Sequence, residues 1–220
     1  MTIEHKNIFL FTAPFVTWIG LQMFLPATAA TYALRTAATA LVALITLGLA
    51  GWKPSCPSAT VLATGLLGGV LVALVWIAPE YSIWYRTWLE YPIGTPPPPP
   101  DVSPYEPATC GWTLTIVKLI GSAFVIAPVE EIFFRSFLYR WVQNHNFQSV
   151  ELSRFDLSAF IWMVFLFTLE HDRPLVAAFA GAAYGLLAIR FGLGSAILAH
   201  VITNLALALH VIYRGEWWFW

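Results

Sequence analysis

Charge is what this sequence has least of. Asp, Glu, Lys and Arg supply 10% of its 220 residues, while 59% are hydrophobic; soluble domains run at about 25% charged and 45–50% apolar. With a mean hydropathy of +0.71, an ordinary soluble domain is excluded and an integral membrane protein is expected. A net charge of -1 and the absence of a basic run leave nothing to attract nucleic acid. The two cysteines, Cys56 and Cys110, are too few and too far apart for a disulfide framework or a cysteine metal site. A dinucleotide glycine pattern, a phosphate loop and a serine elbow are all missing. No repeat relates the two halves, which argues against an ion-coupled transporter.

What is present is a series of long apolar runs, near 8–25, 33–51, 59–78, 112–142, 157–170, 174–190 and 194–213. They predict an all-α, polytopic transmembrane bundle of about seven to eight spans. Lys6 ahead of the first run and Ala27-Thr28-Ala29 after it imitate a signal peptide. The run is longer than a typical signal core, so it is expected to stay as a span. Residues 79–111 form the one long polar connection. Five prolines, 96–100, predict a polyproline II spacer outside the membrane. The chain is therefore expected to be one membrane domain, with N-terminal helices over 1–78, the proline-rich loop over 79–111 and a second helical part, the core, over 112–220.

Charge placement gives an orientation. The loop carries Glu80, Glu90, Asp101 and Glu106 against Arg86, while Lys6, Lys53, Arg140 and Arg154 gather at the other helix ends. By the positive-inside rule the N-terminus lies in the cytoplasm and the proline loop outside, with Arg35 dissenting. The terminal Trp217, Trp218 and Trp220 suit an interfacial aromatic belt. Ala177, Gly181 and Gly185, and more weakly Gly65 and Gly69, form small-residue stripes that allow close helix approach.

Three polar clusters interrupt the apolar runs, where a central charge costs at least about 2.5–3.5 kcal/mol and marks a bundle interior or wet cavity. They are Glu130, Glu131 and Arg135 in "PVEEIFFRSF", His171 in "FTLEHD", and His200 with Asn204 in "AHVITN". Glu131 and Arg135 are four apart and share a helix face; Glu130 points about 100° away. His200 and Asn204 also share a face, and Phe167 lies one turn before His171. The 157–170 run is about 21 Å long, too short to cross, so His171 is expected to end a helix at mid-depth in a protein-enclosed turn. Each cluster alone has a structural reading: a buried ion pair, or an interhelical hydrogen bonder. Two histidines, an asparagine and a spare glutamate together can activate water and stabilise an oxyanion.

In this order and these settings, "EEIFFR", "FTLEH" and "HVITN" resemble the EExxxR, FxxxH and HxxxN motifs of the CPBP intramembrane proteases, which include the CAAX prenyl endopeptidases. The resemblance spans residues 128–204. It implies an intramembrane endopeptidase in which Glu130 and His171 polarise the attacking water and His200 and Asn204 stabilise the oxyanion. Glu131, Arg135 and Phe167 would support that site. A glutamic-type reaction without metal is expected, the alternative being zinc held by Glu130, His171 and His200. The HExxH spacing is absent. "RSFLYRW" and the C-terminal ending resemble a bacterial subgroup associated with exosortase sorting, implying a multi-pass bacterial inner-membrane protein. Its substrate would be a membrane-anchored protein cleaved near its C-terminal segment. The competing reading is a non-enzymatic membrane scaffold or immunity-type binder, whose hallmark would be a missing motif residue.

Overall fold

The computed structural model describes residues 3–52, 57–90 and 103–220. Prolines 96–100, Lys53, Cys56 and Asp101 lie outside the described residues, as does the side chain of Glu90. Among the described residues there are helices and no strands. The helices are α1 (Ile3–Phe24), α2 (Ala29–Leu49), α3 (Ala59–Ile77, extended by a 3-10 turn over Ala78–Tyr81), α4 (Pro107–Gln143), α5 (Leu157–Leu169), α6 (Pro174–Phe191) and α7 (Leu193–Arg214). Six are long and apolar enough to cross a membrane; α5, with 13 residues, is the shorter seventh. The molecule is a polytopic helical membrane bundle.

Local chemistry sets the helix ends. Thr28 and Thr31 cap α2 reciprocally, Ser58 accepts the Val61 N–H at the start of α3, and Asp156 accepts the Ala159 N–H at 2.8 Å at the start of α5. Gly215 ends α7 in the left-handed region at φ 68°, a conformation that favours glycine. Within α4, Gly111 (φ 78°) breaks the helix, so the regular run begins at residue 112.

α4 is about 48 Å of helix from residue 112, and it is wound unevenly. Pro128 has no N–H to give to the carbonyl four residues back. The turn before it widens to π geometry over Ser122–Ile126, closed by the Ala127 N–H to the Ser122 oxygen. A second π segment covers Ile132–Leu138. The glutamate pair thus sits on one short α turn between two widened ones, an arrangement frequent at functional sites.

The glycine stripes are sites of close approach between helices. A Cβ on Gly69 would stand 2.6 Å from the Ala199 carbonyl, and one on Gly65 2.8 Å from Leu198, so α3 lies directly against α7. The Thr203 hydroxyl completes that contact by donating to the Gly69 oxygen at 3.0 Å. A Cβ on Gly185 would meet Met163 at 2.5 Å, and one on Gly181 would meet Phe167 at 2.9 Å, which seats α5 on α6. Phe167, 1% exposed, is the hub of that contact; truncating so buried a ring costs about 3–5 kcal/mol.

The ends of the bundle differ. Asn7 bonds Gln148 at 2.7 Å, Gly194 packs near Val61, and Leu47 and Trp52 join Leu10 and Phe147 in one cluster. Lys6, Arg140, Arg154 and Arg190 therefore share one end. At the other, Trp18, Tyr32, Tyr105 and Trp220 cluster.

The C-terminal tryptophans do more than the expected interfacial belt. The tail turns back at Gly215, and Glu216 accepts from the Tyr81 hydroxyl and pairs with His210 at 3.0 Å. Phe219 is buried, and the guanidinium of Arg173 lies 4.8 Å from its ring. Hydrogen bonds of Glu216 with Tyr81 and His210 account for what hydropathy could not express.

Candidate active site

Glu131 is the centre of a buried polar knot. It is 0% exposed, and its Oε1 lies 3.0 Å from Arg135 Nη1 and 2.9 Å from His200 Nδ1. The arginine contact is an ion pair whose N–H direction misses hydrogen-bond alignment, since Nη1 has no hydrogen-bond partner; the His200 contact is a hydrogen bond. Arg135 is otherwise fixed by Nη2 donating to the Gly181 carbonyl at 3.0 Å and by stacking 4.5 Å over Phe167. Removing one partner of such a pair costs about 3–5 kcal/mol, because the other charge is stranded.

That knot orients His200. With Nδ1–H donated to the Glu131 carboxylate, the other ring nitrogen, Nε2, stands 3.7 Å from Glu130 Oε2. The imidazole is clamped by Tyr184, stacked at 4.7 Å, and by Phe167, edge-on at 6.0 Å. Glu130 is 6% exposed and its Oε2 has no hydrogen-bond partner. A buried carboxylate oxygen without a partner calls for a ligand or water. At 3.7 Å the two groups are too far apart to bond directly, yet a water about 2.8 Å from each can bridge them.

His171 is set by the end of α5. Its Nδ1 lies 2.8 Å from the Phe167 carbonyl. A carbonyl only accepts, so Nδ1 carries the proton and neutral His171 offers the lone pair of Nε2. The turn after it is enclosed only in part, against the expectation: Arg173 is buried and pairs with Glu80 at 3.5 Å, while Asp172 beside it is exposed where it borders the open cavity. Asn204, one turn beyond His200, donates one amide N–H to the Ser122 carbonyl at 3.0 Å, the oxygen that also closes the first π turn. Its second N–H is left for another acceptor.

Glu130, His171, His200 and Asn204 all line one cavity of about 490 Å³, together with Phe167. The three clusters, separated in sequence, thus meet. Glu131 and Arg135 stand behind it. The contact of Glu130 differs from the expected one: the imidazole facing it at 3.7 Å is that of His200, and His171 faces the same cavity from α5. Glu170 and Asp172, which the sequence sets beside His171 without a role, share the lining; Tyr184 was not foreseen, nor was the contribution of α1 and α2 through Trp18, Gln22, Tyr32 and Arg35. Glu170 stands next to His171 in the chain and lines the same cavity as Glu130. That adjacency was the available signal.

Among the described residues no group of three His, Cys, Asp or Glu side chains is arranged to hold a metal ion. The set Glu130, His171 and His200 shares a cavity without forming such a cluster, so no step is assigned to a metal. The chemistry available is proton transfer through Glu130 and the histidine Nε2 atoms, with the Asn204 amide as a neutral donor for developing negative charge.

Residues 112–206 match the family model described as type II CAAX prenyl endopeptidase Rce1-like. The matched segment supports the CPBP family. Every motif residue named above lies inside this Rce1-like segment, and the family is one of proteases, which supports an enzyme. No curated protein and no solved structure gives a significant match to the chain.

Proposed function

We propose that this protein is an intramembrane endopeptidase that hydrolyses a peptide bond near the membrane-associated C-terminal segment of a protein substrate. The observation that carries this reading is the unpartnered Oε2 of Glu130, facing Nε2 of His200 inside a cavity that His171 and Asn204 also line. A water held by Glu130 gives up its proton as it attacks the scissile carbonyl. The resemblance assigns His171 to polarising that water and His200 with Asn204 to the oxyanion. The geometry favours a further duty for His200: with Glu131 behind it, its Nε2 can carry the proton from Glu130 towards the leaving amine.

The membrane setting is proposed to be a bacterial inner membrane. Lys6, Arg140, Arg154 and Arg190 share one end, against Arg86, Arg173 and Arg214 around the tail at the other; the excess of four over three is what the positive-inside rule has to place the first end in the cytoplasm. The cavity is also lined by Leu25, Ala27 and Trp220, from the opposite end, so it opens away from the cytoplasm. That side suits C-terminal sorting segments of surface proteins. The test is turnover of lipid-anchored peptides by protein in liposomes. Folded Glu130→Gln and His171→Ala variants should lose about two or more orders of magnitude in rate; full activity in either would defeat the reading.

A further inference from the structure

His171 differs from Glu130, His200 and Asn204 in standing outside a helix body. It follows the end of the 13-residue α5, and its ring is held by the Phe167 carbonyl at Nδ1 and by two aromatic faces, Phe167 at 4.5 Å and Trp76 at 5.7 Å. Of residues 171–174, Arg173 alone is buried. Its carbonyl accepts the Ala177 N–H at 3.0 Å and so starts α6, while its side chain crosses to α3, where Glu80 Oε1 lies 3.5 Å from Nε. Glu80, in sequence a charge of the polar loop, is 4% exposed and sits in the 3-10 turn that prolongs α3. It comes one turn after Trp76. The end of α3 thus meets the His171 ring with one side chain and, through Arg173, holds the turn that carries it with another. Such a buried pair adds little net stability, because desolvation cancels much of the attraction; its use is to select one geometry.

We infer that Glu80, acting through Arg173, positions His171 for the proteolytic reaction proposed above, on which this assignment rests. Glu80 and Arg173 are both described residues and neither lines the cavity, so their part is positioning and not chemistry. The path is short: carboxylate to guanidinium, then two residues of backbone to the imidazole. With the pair broken, the exposed turn at Asp172 is free to move, and Nε2 of His171 shifts relative to Glu130 and His200. A misplacement of about 1 Å is enough to cost about 10²-fold in rate. The docked tail covers the pair. The Arg173 guanidinium lies 4.8 Å from the Phe219 ring and 5.5 Å from that of Trp218, and Arg86, whose Nε is 3.8 Å from Glu80 Oε2, lies 5.2 Å from Trp218. These aromatic faces offset part of the desolvation of the two cations, and one carboxylate serves both. Arg86 is the more exposed partner and has no backbone link to His171, which makes it the natural control.

The experiment uses the full chain in nanodiscs, with a spectroscopic and a kinetic readout. Ring-nitrogen resonances of isotope-labelled histidine, assigned to His171 by their loss in His171→Ala, report its tautomer and surroundings; turnover of a lipid-anchored peptide reports kcat and KM. Glu80→Gln should move the His171 resonances and leave those of His200 in place. It should lower kcat about 10- to 100-fold with KM within about twofold. Arg173→Met should act in the same way, and Arg173→Lys, which keeps a charge facing Glu80, should lie closer to the unsubstituted protein; that pair decides the matter even if Glu80→Gln does not fold. Arg86→Met should move neither readout. In a His171→Ala background Glu80→Gln should add no further loss, because its effect runs through the imidazole. Unmoved His171 resonances in Glu80→Gln and Arg173→Met overturn the inference. So do His200 resonances that move alongside them, an equal loss in Arg86→Met, or a loss confined to KM. Displaced His171 resonances in a protein that cuts no peptide support the positioning role and defeat the proteolytic reading instead.

Discussion

His200 donates Nδ1–H to Glu131 at 2.9 Å and turns Nε2 to within 3.7 Å of Glu130, so the two adjacent glutamates of one helix grip the same imidazole from different sides. Adjacent helix residues point about 100° apart, and α7 fits into that angle. One carboxylate fixes the ring; the other shares its reactive nitrogen.

Glu131→Gln should therefore damage both fold and function. It strands Arg135 and releases His200, and we expect a stability loss of about 3–5 kcal/mol with a severe loss of turnover. The double variant Glu131→Gln/Arg135→Met should recover much of the stability, since the stranded charge is gone, and remain inactive. Denaturation of the single and double variants in detergent, alongside turnover, checks the pair.

Asn204→Asp keeps the size of the side chain but replaces the amide donor with an acceptor. The hydrogen bond to the Ser122 carbonyl disappears, and so does the donor for the oxyanion. Removing one such donor costs about two to three orders of magnitude in kcat, with KM little changed. A loss confined to KM would assign Asn204 to substrate binding instead.

The glycine contacts predict graded damage. Gly69→Ala drives a Cβ to 2.6 Å from the backbone oxygen of Ala199, which cannot swing away, whereas Gly181→Ala meets the Phe167 ring at 2.9 Å. Overpacking costs about 1–3 kcal/mol, and the Gly69 variant should stand at or above the upper end. Thermal melting of both in detergent decides the order. Gly181→Ala should in addition lower turnover, since Phe167 carries the His171 contact.

How much of this was written in the sequence depends on range. The Glu131–Arg135 pairing follows from a four-residue spacing, and the approach of α5 to α6 from the Gly181 and Gly185 stripe. His171 ending a short helix follows from the length of its apolar run. The π turns around the glutamates depend on how Pro128 and the packing of α7 redistribute backbone hydrogen bonds, which no local periodicity encodes. Contact of Glu130 with His200 depends on how α7 crosses α4. Arg35 stood out only as a dissenter from the charge placement and Lys118 not at all, because only the packing of α2 beside α4 brings them to one cavity. The docked tail was hidden for a similar reason: Tyr81 and Glu216 are far apart in sequence.

That tail gives a pH prediction. Burial raises the Glu216 carboxyl, and the hydrogen bonds from Tyr81 and His210 outweigh it, leaving it below the ordinary carboxylate range. A depressed folded-state value stabilises docking at all pH above the unfolded value of about 4.3. The contribution is lost as pH falls through the lower, folded value. Emission from Trp217, Trp218 and Trp220 should stay constant from neutral pH to about 4.3 and change only below it; Glu216→Gln should abolish that step.

The most direct measurement is a comparison of the C-terminal peptides of membrane proteins, by mass spectrometry, from cells expressing the protein, its Glu130→Gln variant, or neither. The account predicts a defined set of new C-termini that appears with the unsubstituted protein and is absent in the other two. Identical C-termini in all three, or the same new set with Glu130→Gln, would contradict it.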